Sequence, residues 1–113
     1  MSLQAEIDSA TKQMLEQIPQ ETTDALMGFI EKLKNSQLGQ NAPKVGDKAP
    51  VFSLPTAEGN TVELSQKLEK GPVVISFYRG TWCPYCSLEL KALADAHPQI
   101  RQRGASLVAI SPE

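Results

Sequence analysis

The stretch Val73-Val-Ile-Ser-Phe-Tyr-Arg-Gly-Thr-Trp-Cys-Pro-Tyr-Cys86 decides how the rest of the chain is expected to fold. Its first part is apolar and rich in β-branched residues, which is typical of a strand buried on both faces of a parallel sheet. A short polar turn follows. Pro84 then suits the first turn of a helix, where its missing N–H costs no helical hydrogen bond. The stretch therefore predicts a strand, a turn and a helix, with Cys83 and Cys86 at the joint.

These two residues are the only cysteines of the chain, and two residues separate them. A helix N-terminus presents unpaired N–H groups and a partial positive charge, which favour a thiolate over a thiol. A CxxC pair between a strand and a helix is a redox motif. One sulfur can attack a disulfide or a peroxide, and the other can then close a Cys83–Cys86 disulfide. We predict that both cysteines are catalytic.

The residues that surround the cysteine pair are candidates for supporting roles. Arg79 either stabilises a thiolate and binds substrate oxygen atoms, or is simply a solvated residue of the turn. Trp82 offers an apolar platform to a substrate disulfide, or fills part of the core. Pro84 restricts the loop between the two cysteines, and Tyr85 flanks them.

The sequence around this stretch predicts an α/β domain. Ala105–Ile110 is a second apolar strand, so Val73–Ile110 forms a right-handed βαβ unit with parallel strands. Val51–Leu54 and Thr61–Leu64 alternate between apolar and polar residues on either side of a turn-rich segment, and they predict a β-hairpin. Pro98 is expected to kink or end the helix of the βαβ unit.

The N-terminal part of the chain has a different character. Apolar residues at helical spacing over residues 1–36 predict an extension of two helices that form a hairpin, the second capped by Thr22 or Thr23. Residues 37–50 contain several turn-forming residues and predict a linker; these are Gly39, Asn41, Pro43, Gly46, Asp47 and Pro50. The α/β domain is therefore expected to occupy residues 51–113.

Composition excludes several functions. The net charge of −2 does not favour nucleic acid or an anionic membrane as a partner. Apolar runs are too short for a spanning helix, and the N-terminus lacks the basic and apolar regions of a signal peptide. We therefore expect a cytoplasmic protein, in a reducing compartment where an isolated CxxC is usually catalytic or metal-binding.

Several stretches resemble a known family. Four of them resemble the opening of a peroxiredoxin: Gly46-Asp-Lys-Ala-Pro50, Phe52-Ser-Leu-Pro55, Gly59-Asn-Thr-Val-Glu-Leu-Ser65 and Val73-Val-Ile-Ser-Phe-Tyr78. Arg79–Cys86 is similar to the CxxC-bearing, peroxiredoxin-like branch of the alkyl hydroperoxide reductase/thiol-specific antioxidant (AhpC/TSA) family, and Cys-Pro-Tyr-Cys is also the glutaredoxin motif. The resemblance covers residues 44–113.

This resemblance implies a thioredoxin-like fold and an antioxidant oxidoreductase that reduces peroxides or disulfides. It implies a thiol reductant as partner, namely thioredoxin, glutaredoxin or glutathione, and no cofactor. The family's fold continues beyond a second central strand. The chain therefore resembles the N-terminal part of the family domain, and we expect either a longer protein or a partner chain that completes the sheet. A homo-oligomer is expected for the same reason.

Two alignments of the cysteines remain open. The peroxiredoxin pattern Pro-x-x-x-Thr-x-x-Cys, counted back from Cys86, puts Arg79 at the proline and Cys83 at the threonine, and makes Cys86 the peroxide-reactive residue. A thioredoxin-style alignment makes Cys83 the attacking thiolate. Thr81 fits the family's threonine only with a shift, and it is kept as a candidate that stabilises the substrate or the thiolate.

The alternative function is a metal-binding or interaction module. A CxxC supplies two thiolates, so two chains would have to pair to hold zinc or an iron–sulfur cluster. His97 lies about three helical turns, ~16 Å, beyond Cys86 and cannot join the cysteines. His97 is expected to be structural or solvated. Glu89, one turn past Cys86, either disfavours the Cys86 thiolate or shuttles a proton, or is a solvated residue of the helix face, which is the preferred interpretation. No metal site is predicted within one chain.

Overall fold

A computed structural model describes residues 1–113, which form two compact units, Met1–Ala49 and Pro50–Glu113. In the first unit, helix α1 covers Leu3–Gln17 and helix α2 covers Gln20–Asn35. Helix α1 begins at Ser2, whose Oγ accepts a hydrogen bond from the Ala5 N–H at 3.2 Å. None of the helices in the structure is long and apolar enough to span a bilayer.

Pro19 separates the two helices. The preceding residue, Ile18, has an extended backbone because the proline ring disfavours the helical conformation before it. Helix α2 then begins directly after Pro19, whose carbonyl accepts the N–H groups of Thr22 and Thr23. The predicted cap at Thr22 or Thr23 is therefore wrong, because both residues already lie within the first helical turn.

Helix α2 presents an exposed apolar face. The two helices make almost no contact with each other, so they do not pack as the predicted hairpin. The large apolar side chains of α2 are 39–60% exposed; they are Leu26, Met27, Phe29, Ile30 and Leu33.

A series of turns that includes Gly39 and Gly46, both with positive φ, follows over residues 36–49.

The second unit opens with the predicted hairpin. Strand β1, Ser53–Pro55, pairs antiparallel with strand β2, Thr61–Glu63, so that Leu54 lies opposite Val62. The loop closes through a 2.7 Å hydrogen bond from the Thr56 N–H to the Asn60 carbonyl. The pairing begins two residues later than predicted.

A parallel βαβ unit follows the hairpin, as predicted. Short helix α3, Leu64–Lys70, leads to strand β3, Val73–Phe77, which pairs parallel with strand β4, Ser106–Ile110. Helix α4, Pro84–Gln102, connects the two strands. It continues through Pro98, so the alternative in which Pro98 ends the helix is wrong. A proline so close to the end of the helix removes only one hydrogen bond, and the Arg103 N–H still binds the carbonyls of the last turn.

Strand β3 is less buried than its composition predicts. Helix α4 covers one face of the β3–β4 pair, where Leu90 and Leu93 lie with Leu107 around a small cavity. Phe77 lies on the opposite face and is 74% exposed. The prediction that β3 is buried on both faces is therefore wrong.

Two glycines bring the ends of α3 and α4 together. Gly71 has φ +145° and ψ −173°, a region that is essentially restricted to glycine. A Cβ at Gly71 would overlap the carbonyl of Gly104, which ends α4 with φ +76°. The close approach places β3 beside the start of β4.

We predict that Gly71→Ala lowers the free energy of unfolding by about 2–5 kcal/mol, from backbone strain and from steric overlap. Urea denaturation measures the loss. Gly59→Ala is the matched control, because Gly59 also has positive φ (+86°) but open space around it. The control should lose only about 1–2 kcal/mol. Equal losses in the two variants would show that the contact with Gly104 contributes nothing.

Candidate active site

The two cysteines lie at the start of α4, just beyond the carboxyl end of β3. Cys83 is the N-cap and has an extended backbone, Pro84 is the first helical residue, and Cys86 lies one turn into the helix. The Cys83 N–H donates to the Gly80 carbonyl at 3.2 Å, and the Ser87 N–H donates to the Cys83 carbonyl at 3.1 Å. Both cysteines are free thiols.

Both cysteines belong to the best-packed part of the chain. Cys83 is 3% exposed and Cys86 is 8% exposed. The other buried residues include Leu64, in the first turn of α3, and Ser76 on β3. The cysteine pair therefore lies where β3 and the first turn of α4 meet.

Several groups stabilise a thiolate at Cys83. The pKa of Cys83 lies below its ordinary value of 9.0, chiefly because the Cys86 side chain hydrogen-bonds to it and next because of the Cys86 N–H. Burial opposes this shift, while the Tyr85 N–H and the positive charge of Arg79 add to it.

Arg79 contacts the site twice. Its backbone N–H donates to the Cys86 Sγ at 3.3 Å. Its guanidinium lies over the Trp82 ring, 4.7 Å from the centroid. Trp82 is 63% exposed, so its ring lies at the surface and not in the core. Arg79 is therefore held by contacts with both Trp82 and Cys86.

Thr81 differs from the other predicted residues. Its N–H donates to the Glu113 Oε1 at 3.2 Å, and no hydrogen bond joins it to either sulfur. Thr81 lies in the same turn as Arg79 and Trp82, so it differs from them in its contacts and not in its position.

Gly80 is a residue of the site that the sequence did not reveal. It is buried, and a Cβ at this position would overlap the indole of Trp82 and the carboxylate of Glu113. Only glycine therefore allows Trp82 to fold back over the turn. Its position between Arg79 and Thr81 was the only indication in the sequence that Gly80 belongs to the site. The composition of this segment predicted no more than a turn.

The residues considered for metal binding lie apart. No three His, Cys, Asp or Glu side chains of the structure are grouped closely enough to hold a metal ion. His97 is exposed and lines the cavity between α4 and β4. Glu89 is exposed and accepts a long hydrogen bond, 3.5 Å, from the Ser76 hydroxyl.

Comparisons with known proteins agree with this geometry. Residues 45–113 match the model of the AhpC/TSA family. The chain is 30% identical over 70 residues to the thiol-disulfide oxidoreductase ResA of Bacillus thuringiensis (strain Al Hakam), covering 62% of this chain and 39% of that protein. It is 33% identical over 73 residues to ResA of Bacillus subtilis (strain 168), covering 65% and 40%.

A third relative carries a different name. The chain is 34% identical over 70 residues to the putative peroxiredoxin bcp of Coxiella burnetii, covering 62% of this chain and 46% of that protein. The chain thus spans less than half the length of each of these three relatives. No solved structure matches it.

We predict that iodoacetamide labels Cys83 selectively below the ordinary pH range for a thiol. Cys86→Ala should raise the pKa of Cys83 more than Arg79→Gln does, because the Cys86 side chain is the largest stabilising contribution and the Arg79 charge the smallest. The measurement is the pH dependence of alkylation, with the label located by peptide mass. A larger effect from Arg79→Gln would contradict this order.

Stability should depend on pH through the same group. The folded-state pKa of Cys83 is depressed, so its contribution is fully present above the unfolded value and is lost as pH falls through the folded value. The reduced protein should therefore become more stable as pH rises toward 9.0. Urea denaturation across this range measures the slope, and Cys83→Ser should reduce it. An unchanged slope in that variant would exclude the linkage.

Proposed function

The chain belongs to the AhpC/TSA family, and on that premise we propose that it is a thiol-dependent oxidoreductase that cycles between a Cys83–Cys86 dithiol and disulfide. The thioredoxin-like fold predicted from the sequence is confirmed by the family match. The observation that carries the proposal is Cys83 itself, a free thiol at a helix N-cap whose pKa is lowered despite its burial. Relatives named thiol-disulfide oxidoreductase support it.

The first step is attack by Cys83 on a substrate disulfide. The Cys83 thiolate forms a bond with one substrate sulfur, the substrate S–S bond breaks, and the other substrate sulfur leaves as a thiolate. Cys83 has this role because the hydrogen bonds from Cys86 and the amides of the first helical turn favour its charged form. Since Cys83 is only 3% exposed, the turn before α4 must yield slightly for the substrate to approach.

Cys86 completes the reaction. It loses its proton to the departing thiolate and attacks the Cys83 sulfur, which releases the second substrate thiolate and forms the Cys83–Cys86 disulfide. Two electrons have then passed from the protein to the substrate. The Cys86 side chain is the largest cause of the lowered Cys83 pKa, and this interaction between the two cysteines supports the role of Cys86. A thiol reductant, such as thioredoxin, glutaredoxin or glutathione, restores the dithiol.

Peroxide reduction is the second candidate. The backbone N–H of Arg79 donates to the Cys86 Sγ and would stabilise a thiolate there, as the peroxiredoxin alignment requires. That thiolate would take one peroxide oxygen to become a sulfenic acid and release an alcohol or water. Condensation with Cys83 would then release water and form the same disulfide. A relative named putative peroxiredoxin supports this reading.

A cytoplasmic location and a homo-oligomer stay predictions from the sequence.

The two candidates predict different behaviour of the single-cysteine variants. If Cys83 attacks disulfides, Cys86→Ser should accumulate a stable mixed disulfide between Cys83 and the substrate. Cys83→Ser should form the corresponding mixed disulfide at Cys86 at least about 100-fold more slowly, because the low-pKa thiolate is absent. Stopped reactions with hydroxyethyl disulfide and intact-protein mass spectrometry measure the adduct. The double variant Cys83→Ser/Cys86→Ser is the control for non-specific labelling.

The same variants test the peroxide reaction. Cys83→Ser should retain a single turnover with hydrogen peroxide if Cys86 is the peroxide-reactive residue. If neither single variant differs from the wild type toward disulfide or peroxide, the redox proposal fails.

A further inference from the structure

Arg79 and Trp82 form a cationic and aromatic surface beside Cys83, and the exchange steps use only the charge of Arg79, which favours the thiolate. Both side chains are exposed, and the guanidinium stacks on the indole at 4.7 Å from its centroid. Arg79 makes no ion pair with any carboxylate of the chain. An exposed arginine that a neighbouring ring holds in place, but that no acid neutralises, is available to a ligand.

We propose that Arg79 and Trp82 are a docking site that selects disulfide substrates with a carboxylate close to the reacting sulfur. The inference rests on the proposed disulfide reduction and names the substrate class of that site. Arg79 is a specificity-determining residue here, and Trp82 positions its guanidinium.

Geometry favours this role. The guanidinium carbon lies 4.7 Å from the Trp82 ring centroid, and no hydrogen bond or ion pair within the chain occupies its N–H groups, which can bind both oxygens of a carboxylate. The Arg79 backbone is tied to the cysteine pair by its 3.3 Å contact with the Cys86 Sγ. A carboxylate on the guanidinium therefore lies near the sulfurs, while the uncovered part of the indole meets the apolar carbons of the substrate.

The positive charge of Arg79 favours an anionic ligand at this place. The attraction is local to Arg79, because the chain carries a net charge of −2 and its overall field does not attract anions. The carboxylate nearest to the turn, Glu113, receives the Thr81 N–H at 3.2 Å and does not pair with Arg79. A single guanidinium beside an indole suits one carboxylate next to an apolar carbon better than a doubly charged phosphate.

The test compares three small alkyl disulfides of opposite or no charge: dithiodipropionate, hydroxyethyl disulfide and cystamine. The rate at which each disulfide oxidises Cys83 is divided by the rate at which mercaptoethanol reduces the same disulfide. This ratio corrects for differences in reactivity between the three leaving thiols. The wild type should prefer dithiodipropionate to cystamine by about tenfold, the size expected for one nearby charge partly screened by water. High salt should reduce this preference.

Variants assign the preference to the two residues. Arg79→Gln should abolish it and Arg79→Lys should keep part of it. Trp82→Leu should weaken it several-fold and Trp82→Phe should restore it, since a ring still supports the guanidinium. Arg101→Gln removes the same charge in the last turn of α4, roughly 25 Å along the helix, and should leave the preference unchanged. The pH profile of Cys83 alkylation in each variant separates docking from altered thiolate formation.

The outcomes are distinct. If Arg79→Gln slows all three disulfides by the same factor, or keeps the wild-type preference, the docking inference is overturned and Arg79 acts at most on the thiolate. A wild type that reduces all three with equal normalised rates also overturns the inference, yet leaves disulfide reduction standing. A wild type that reacts with none of them contradicts the proposed function itself.

Discussion

The parallel pairing of β3 with β4 is the constraint on which the site depends. Two parallel strands cannot be joined by a tight turn, so the chain that leaves the carboxyl end of β3 must cross back along the sheet before β4 begins. Helix α4 makes that crossing, and its N-terminus therefore lies where β3 ends. The cysteine pair occupies that first turn, so the sheet topology alone places the sulfurs in the field of the helix.

Burial and charge oppose each other at Cys83. A thiol in apolar surroundings is normally inert, because burial disfavours its charged form. Here the hydrogen bonds from Cys86, the amides of the helix start and the charge of Arg79 together exceed the cost of burial. A reactive sulfur and a well-packed one are thus the same residue.

Local patterns in the sequence were sufficient for the elements and for the cysteine pair, but not for contacts that depend on three-dimensional packing. Apolar spacing predicted both N-terminal helices, and an apolar run predicted β3. The same run could not tell that Phe77 lies on an uncovered face, and local rules overestimated the effect of Pro98, because one missing hydrogen bond near a helix end is tolerated. The Trp82 ring, over which Arg79 lies, occupies space that a Cβ at Gly80 would take, and no periodicity reports such a contact.

The position of Trp82 has a practical consequence. It is the only tryptophan of the chain, it immediately precedes Cys83, and most of its surface is open to solvent. Indole fluorescence responds to nearby sulfur, to charge and to solvent, and here all three change when a thiolate forms or a disulfide closes beside the ring. The fluorescence emission of Trp82 in the unlabelled protein should therefore change with the ionisation and oxidation state of the cysteine pair, so the reaction can be followed without an added dye.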